Sequence, residues 1–489
     1  MTATTTPTTP TTPSTKELPA QPRAVFETLK RAWREQGGLS YEQRMDYLDK
    51  VGDALKRYEE RLAAAIDKDF GNRSKYETAI AEMFTTLNAL RYVRRHLRGW
   101  MRPERRAIEW VFLPGRNQVV HQPLGVVGVI GPWNYPVYLV LVPLIYAIAA
   151  GNRVAIKPSE ITPHTTEVLA ELIAEVFPRD LVGVVTGGPD VGAAFTKLPF
   201  DHLFFTGSTS VGRHVMRAAA ENLVPVTLEL GGKSPCVVAP EFPIEKAAER
   251  IMAGKCLNAG QTCIAPDYAL VHESRVEAFV QACEAVVRRS YPTLAKNPDF
   301  TSIVSERHYT RLRGLVEEAR GKGARVVELN PAGEALPAEG RKIAPTLVIG
   351  APDDTGVMQD EVFGPIMAVV PYKTVDEAIA YVNDRPRPLA LYYFDRDGAR
   401  IKRVLRSTTS GGVTVNDTML HIAQDDMPFG GVGPSGMGSC HGVEGFLTFS
   451  HKKAVFHQAR FNTAGLLSPP FGKALDRLLN LLVGKANRR

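Results

Sequence analysis

Between Ala24 and Leu97 apolar residues return every three or four positions among Arg, Glu and Lys, as at Tyr47, Leu48, Val51 and Leu55. That spacing predicts amphipathic helices with one face inward. The region reads as scaffold that carries little chemistry. The pattern then changes. Residues 116–122 alternate well enough to predict a strand, with Pro114-Gly115 before it and Pro123-Leu-Gly125 after it. Residues 126–130 are wholly apolar, as expected of a strand covered on both faces of a parallel sheet. Strand-like runs at 153–156, 182–185 and 202–205 follow, separated by helical stretches. This alternation predicts a doubly wound α/β domain. A second alternating region extends from Ser234 to about Asn416, with candidate strands at 235–238, 268–271, 344–349, 367–371 and 412–415. Residues 430–438 are glycine-rich and read as a loop, and 448–456 is a last candidate strand.

Three further stretches have their own character. Residues 137–150 are apolar but shorter than the ~18–20 residues that cross a bilayer, and Pro143 interrupts them, so a buried helix is expected. Residues 1–15 form a Thr/Pro tract with almost nothing to bury, so disorder is expected there. In the tail, Leu475, Leu478, Leu479 and Leu482 share one helical face. Contact of that face with a membrane surface is one reading. Packing on the chain's own core or on a partner is the favoured one.

Composition narrows the class. A chain of 489 residues calls for two or three domains. Hydrophobic content of 44% and charged content of 23% fit a globular enzyme. The net charge of +7 is spread along the chain with no Lys/Arg block, which argues against a nucleic-acid partner. The five cysteines are odd in number and form no C-x-x-C pair. No disulfide framework and no metal site are therefore expected, and a reducing compartment is. No start resembles a secretion signal, so a cytoplasmic location is expected.

The candidate chemistry gathers around Asn258-Ala-Gly-Gln-Thr-Cys-Ile-Ala-Pro266. A free cysteine is most often a small buried hydrophobe. Cys263 is set apart by its companions: Gly131-Pro-Trp-Asn-Tyr-Pro136, Lys157-Pro-Ser-Glu160, Phe205-Thr-Gly-Ser208, Glu229-Leu-Gly-Gly-Lys233, Glu361-Val-Phe-Gly-Pro365 and Pro428-Phe-Gly-Gly431. A thiolate is a good nucleophile, a carboxylate in a dry pocket becomes a base near neutral pH, and an amide N–H can steady an oxyanion. Gly207-Ser-Thr-Ser-Val-Gly212 has the glycine spacing of a phosphate loop, but Arg213 and His214 replace its Lys and Ser/Thr. What remains is a strand, a Gly-Ser turn and a helix whose N-terminus could face a phosphate. Alone, Lys157-Pro-Ser-Glu160 reads as a helix start with Ser159 as its cap. His421 and His441 read as loop residues near a pocket mouth. A cysteine protease or a metal site does not fit, because the 258–266 segment holds no His and Cys256 and Cys263 lack a ligand spacing.

Six or more of these motifs, in order over residues 20–460, resemble the aldehyde dehydrogenase superfamily. Phe204-Phe-Thr-Gly-Ser-Thr209, Pro225-Val-Thr-Leu-Glu-Leu-Gly-Gly-Lys-Ser-Pro235 and Gly260-Gln-Thr-Cys-Ile-Ala-Pro-Asp-Tyr268 are similar to its class 3 branch. The run from Asp425 to Gly438, with His441-Gly and Glu444-Gly-Phe446, resembles that branch's bacterial coniferyl aldehyde dehydrogenases.

The resemblance implies a fold and a mechanism. The fold would be two doubly wound-type α/β domains, a Rossmann-like cofactor domain and a catalytic domain, plus a small bridging β-sheet. Residues 21–105 and 124–230 would bind the cofactor, 231–434 would form the catalytic domain, and 106–123 with 445–460 the bridging strands. Residues 1–20 and 461–489 would be tails. Cys263 would attack the aldehyde, Asn134 would hold the oxyanion and Glu229 would activate water. Glu361 and Phe363 would meet the nicotinamide half of the cofactor. Lys157 and Glu160 would hold the adenine ribose, with Gly207 and Ser208 at the pyrophosphate and Trp133, Thr206 and Val211 alongside. NAD is the expected cofactor, because the Glu160 carboxylate repels the extra phosphate of NADP, although NADP is also accepted in this branch. The substrate would be a hydrophobic or aromatic, coniferaldehyde-like aldehyde, with a medium- or long-chain fatty aldehyde as the alternative. A CoA-acylating enzyme or a non-catalytic binding protein fits less well, because Asn134, Glu229 and Cys263 are all present. A homodimer is implied, through exchange of the bridging sheet.

Overall fold

The computed structural model describes residues 22–462, 465 and 468–484. The Thr/Pro tract and the basic residues after 484 lie outside the described residues. The helical N-terminal region is dominated by Tyr41–Phe70. It opens on a capping box, in which Ser40 Oγ accepts from the Gln43 N–H at 3.2 Å and Gln43 Oε1 accepts from the Ser40 N–H at 2.8 Å. It closes on Gly71, whose φ of 80° favours glycine. Leu48, Val51, Leu55, Leu62 and Ile66 bury its apolar stripe.

Two parallel sheets and one small antiparallel sheet complete the architecture. The first sheet runs, in spatial order, Gly436–Met437, Val226–Glu229, His202–Thr206, Val126–Ile130, Arg153–Lys157 and Val182–Val184. All its pairs are parallel except the first. Val126–Ile130 is the earliest of its parallel strands in the chain, and the later strands lie on both sides of it. The order therefore reverses between it and His202–Thr206, and in such sheets ligands bind beyond the strands' C-terminal ends at that point. The loops beginning at Gly131 and at Gly207 leave the sheet there.

The second sheet runs Arg325–Glu328, Thr346–Ile349, Ile366–Tyr372, Tyr268–His272, Pro235–Val238, Ala390–Phe394 and Gly412–Val415, parallel but for its first strand. The third consists of Glu104–Arg106, Arg116–Pro123 and Ser450–His457, all antiparallel. The apolar run at 137–150 forms the helix Tyr138–Ala150, buried along almost its whole length. Among the described residues no helix is long and apolar enough to cross a membrane.

Five strands are absent from the sequence reading: Glu104–Arg106, Val226–Glu229, Arg325–Glu328, Ala390–Phe394 and Gly436–Met437. The last lies within 430–438, which is therefore not all loop. Ser159 does not cap a helix either. Its hydroxyl accepts from the Ile161 N–H at 3.2 Å, and the helix begins only at Pro163.

Candidate active site

The loop that presents Cys263 is held in an unfavourable shape from several sides. After the helix Ile244–Cys256, Asn258, Ala259 and Gly260 all have positive φ, 51°, 50° and 71°. Such a conformation costs a residue with a Cβ roughly 1–2 kcal/mol. Glycine is needed at 260, where a Cβ would sit 2.2 Å from the Gly364 carbonyl oxygen. Buried polar groups hold the loop in place. The Glu77 carboxylate accepts from the Asn258 N–H at 3.1 Å and the Thr301 hydroxyl at 2.7 Å. The Gln261 side chain, wholly buried, donates to the Asn258 and Ser302 carbonyls and accepts from the Val304 N–H. Thr262 and Tyr135 join hydroxyls at 2.8 Å.

Asn134 follows the central strand of the first sheet and is buried. Its Nδ2 donates to the Gln261 carbonyl at 3.2 Å, which leaves one N–H of the amide for a ligand. Its backbone carbonyl accepts from Arg73 Nη1 at 2.7 Å and from Asn258 Nδ2 at 3.1 Å. The Arg73 guanidinium lies between the rings of Phe70 and Tyr135, 4.9 and 4.8 Å from their centres. It stands 3.9 Å from Glu82, both side chains being fully buried. Glu82 sits in the π-helical turn Ala79–Phe84 and accepts from the N–H groups of Val137 and Tyr138, at 3.0 and 2.8 Å. The N-terminal helices are thus more than scaffold: they fix the loop that carries Asn134. Periodicity could not reveal this, because Arg73, Glu77 and Glu82 look like ordinary surface charges in the sequence.

Glu229 ends the strand Val226–Glu229 and is buried, with neither carboxylate oxygen hydrogen-bonded. Burial holds its carboxyl well above the usual range. Cys263 is half-buried; burial pushes its thiol up to about 12, and the Glu361 and Glu229 charges act in the same direction. Burial also raises Glu361 to about 8, against the stabilising Gly232 N–H, which donates to it at 3.1 Å. Gly231 allows this approach, since a Cβ there would lie 2.2 Å from the Glu361 oxygens.

Two cavities meet at Cys263 and Glu229. One is a cleft of about 240 Å³ at the switch point of the first sheet. It brings together nine of the twelve residues singled out in the sequence: Trp133, Asn134, Thr206, Gly207, Ser208, Glu229, Cys263, Glu361 and Phe363. Lys157, Glu160 and Val211 lie outside its lining. Lys157 is buried and donates to Glu160 at 2.9 Å, while Val211 is exposed in the first turn of the helix Thr209–Ala220. The cleft also contains His308 and Arg311, which the sequence reading passed over. Both sit on the helix Glu306–Gly321, whose charged repeat gives no sign of them. His308 packs against Trp133 at 4.9 Å between ring centres.

The second cavity is apolar and closed to about 20 Å³, room for one water. Tyr138, Phe204, Ile422, Phe429, Cys440 and His441 line it. His441 is therefore a buried wall residue, and His421 is buried in the turn Leu420–Ala423; neither lies at a mouth.

The cleft fits a dinucleotide. The strand His202–Thr206 runs into a Gly-Ser turn and a helix start, where Ser208 Oγ accepts from the Val211 N–H at 3.4 Å. The N–H groups of a helix's first turn favour a phosphate. A Cβ at Gly207 would lie 2.5 Å from the Phe205 ring. The buried Thr206 hydroxyl has no partner, and Glu361 has capacity to accept a ribose hydroxyl.

Comparison with known proteins agrees with this geometry. The profile of the aldehyde dehydrogenase family matches residues 11–455. A relative from Pseudomonas aeruginosa named "Probable coniferyl aldehyde dehydrogenase" is 54% identical, over 94% of this chain and 95% of its own. The substrate-bound structure of Staphylococcus aureus AldH superposes with a TM-score of 0.89 at 38% identity, covering 94% of this chain and 99% of its own. A betaine aldehyde dehydrogenase from the same organism, solved with NAD+, superposes with a TM-score of 0.81 at 27% identity, covering 91% and 88%.

Proposed function

This chain belongs to the aldehyde dehydrogenase family, and we propose that it oxidises hydrophobic aromatic aldehydes to free carboxylic acids through a thioester on Cys263. The observation that carries the reading is the meeting of Cys263 and Glu229, with Asn134 beside them in the cleft, where that cleft joins the apolar chamber. The aldehyde carbonyl sits at Cys263 with its apolar body toward the chamber.

Cys263 gives its proton to solvent water in the cleft, and its sulfur bonds to the aldehyde carbon. The carbonyl oxygen becomes an alkoxide, held by the free N–H of the Asn134 amide and the backbone N–H of Cys263. Such donors at a developing oxyanion are worth about 3–4 kcal/mol each. A nicotinamide cofactor held in the cleft would supply the hydride acceptor that takes this carbon to the thioester level. Glu229, desolvated and unpartnered, takes a proton from water as the water oxygen attacks the thioester. The C–S bond breaks, the acid leaves, and Glu229 returns the proton to the sulfur. Glu361, Thr206, Gly207 and Ser208 hold the cofactor, Trp133 and Phe363 border it, and Lys157 and Glu160 reach its adenine ribose beside the exposed Val211.

NAD is preferred over NADP, because the Glu160 carboxylate repels a 2′-phosphate. The protein is a cytoplasmic homodimer. The test is cofactor reduction, followed by absorbance, with coniferaldehyde, benzaldehyde, hexanal and acetaldehyde, using NAD and NADP in parallel. The highest kcat/KM with a ring aldehyde and NAD supports the reading. A maximum with hexanal would transfer it to fatty aldehydes, which the apolar walls also suit, and no turnover of either cofactor would end it.

A further inference from the structure

Among the chamber's side chains, His441 has a backbone it should not tolerate. Its φ of 70° and ψ of 161° fall in a region that is essentially glycine's own. It is also buried, at 2% exposure. Residues held in such conformations persist where surrounding structure imposes them, and they gather at ligand clamps and active sites. Here the strain delivers an imidazole into the wall of the apolar chamber that opens on Cys263. Phe429 fixes the ring plane by stacking, at 5.5 Å and 30°. The Tyr138 hydroxyl bonds its Nε2 at 2.8 Å. Its Nδ1 is buried and has no partner. Burial pushes its pKa down to about 4, so the ring is neutral and Nδ1 donates or accepts according to which way the Tyr138 bond is polarised. Cys263, Asn134 and Glu229 leave it no part in the chemical steps.

Resting on the function proposed above, we propose that His441 makes the enzyme selective for aromatic aldehydes that carry a ring hydroxyl, through a hydrogen bond between Nδ1 and that phenol. A phenol suits the site because it both donates and accepts, and so satisfies Nδ1 in either tautomer. An aldehyde without the hydroxyl leaves a buried nitrogen unpaired, which a binding site registers as lost affinity.

The experiment compares 4-hydroxycinnamaldehyde with cinnamaldehyde in the parent enzyme, in His441→Gly and in His441→Phe. The glycine variant removes the ring and also relieves the backbone, so it guards against misfolding of the phenylalanine variant. The parent is expected to favour the hydroxylated aldehyde about tenfold in kcat/KM, chiefly through KM. Both variants are expected to bring the ratio near one. A parent ratio near one, or a preference that survives in both variants, overturns the assignment. Calorimetric binding of the same two compounds to Cys263→Ser separates this from the catalytic reading. Equal affinities there defeat the role of His441, whatever turnover shows.

Discussion

At the residue scale the arrangement makes the roles of Cys263 and Glu229 separable. Cys263→Ser is expected to lower kcat at least ~10³-fold, since a hydroxyl replaces the sulfur nucleophile. Glu229→Gln is expected to lower steady-state turnover about 10²–10³-fold, the scale of losing a general base, yet to keep one rapid equivalent of reduced cofactor per active site. Stopped-flow absorbance distinguishes them, and a Glu229→Gln enzyme without that burst would remove Glu229 from the hydrolytic step. The protonation states set a pH dependence of definite sign. The Cys263 thiol is pushed up to about 12 and Glu361 to about 8, so both hold their protons at neutral pH, and burial raises Glu229 in the same direction. All three act deprotonated. Hence kcat/KM should rise from pH 6.5 to 9, and a profile flat or falling over that range would contradict the assignment. Cys263, Asn134 and Glu229 were singled out in the sequence through a resemblance carried by several motifs in order, and the fold brings all three to one cleft. His308 and Arg311 were not, because only the superposition of a helix on the cleft gives them a role.

At the scale of elements the same contrast holds. Strands buried on both faces, such as Val126–Ile130, announce themselves as unbroken apolar runs. Val226–Glu229 does not, since its short stretch ends in a carboxylate and reads as the start of the glycine turn. Ala390–Phe394 lies wholly buried between two strands of the second sheet, yet Pro386 and Pro388 precede it and mask it. The helices Tyr41–Phe70 and Thr85–Trp100 were recognisable, but the short stretch between them positions Asn134 through Arg73 and Glu82. Removing one member of a buried ion pair costs about 3–5 kcal/mol, because the other charge is left behind. Arg73→Met is therefore expected to lower stability by that amount and kcat about tenfold. The double variant with Glu82→Gln should regain much of the stability and none of the kcat. Denaturant titration with parallel kinetics forms the cycle; a double variant with parental kcat would make Arg73 a structural residue only.

For the whole molecule, the three-stranded sheet is the part without an internal purpose. Its outer strand Ser450–His457 is largely exposed, and Phe456 and Phe112 meet edge to face at 6.2 Å while both remain open to solvent. An exposed strand edge invites pairing with another chain. The dimer proposed above uses this edge. Light scattering should give twice the 53.6 kDa chain mass, and Phe456→Asp should shift it toward one chain. A parent that scatters as 53.6 kDa would remove the dimer.

The short strand Gly436–Met437 has a different consequence. It pairs with Val226–Glu229, so the sheet that carries the base is finished by residues some two hundred positions further along the chain. Domains generally fold as units while the ribosome is still working. Here the first sheet must wait at one edge until the whole second sheet has been synthesised. At the end of its strand Glu229 gains its neighbour only when synthesis is nearly complete. A nascent chain arrested before residue 436 can have its nucleophile, its amide and most of two sheets, and still lack a finished catalytic centre.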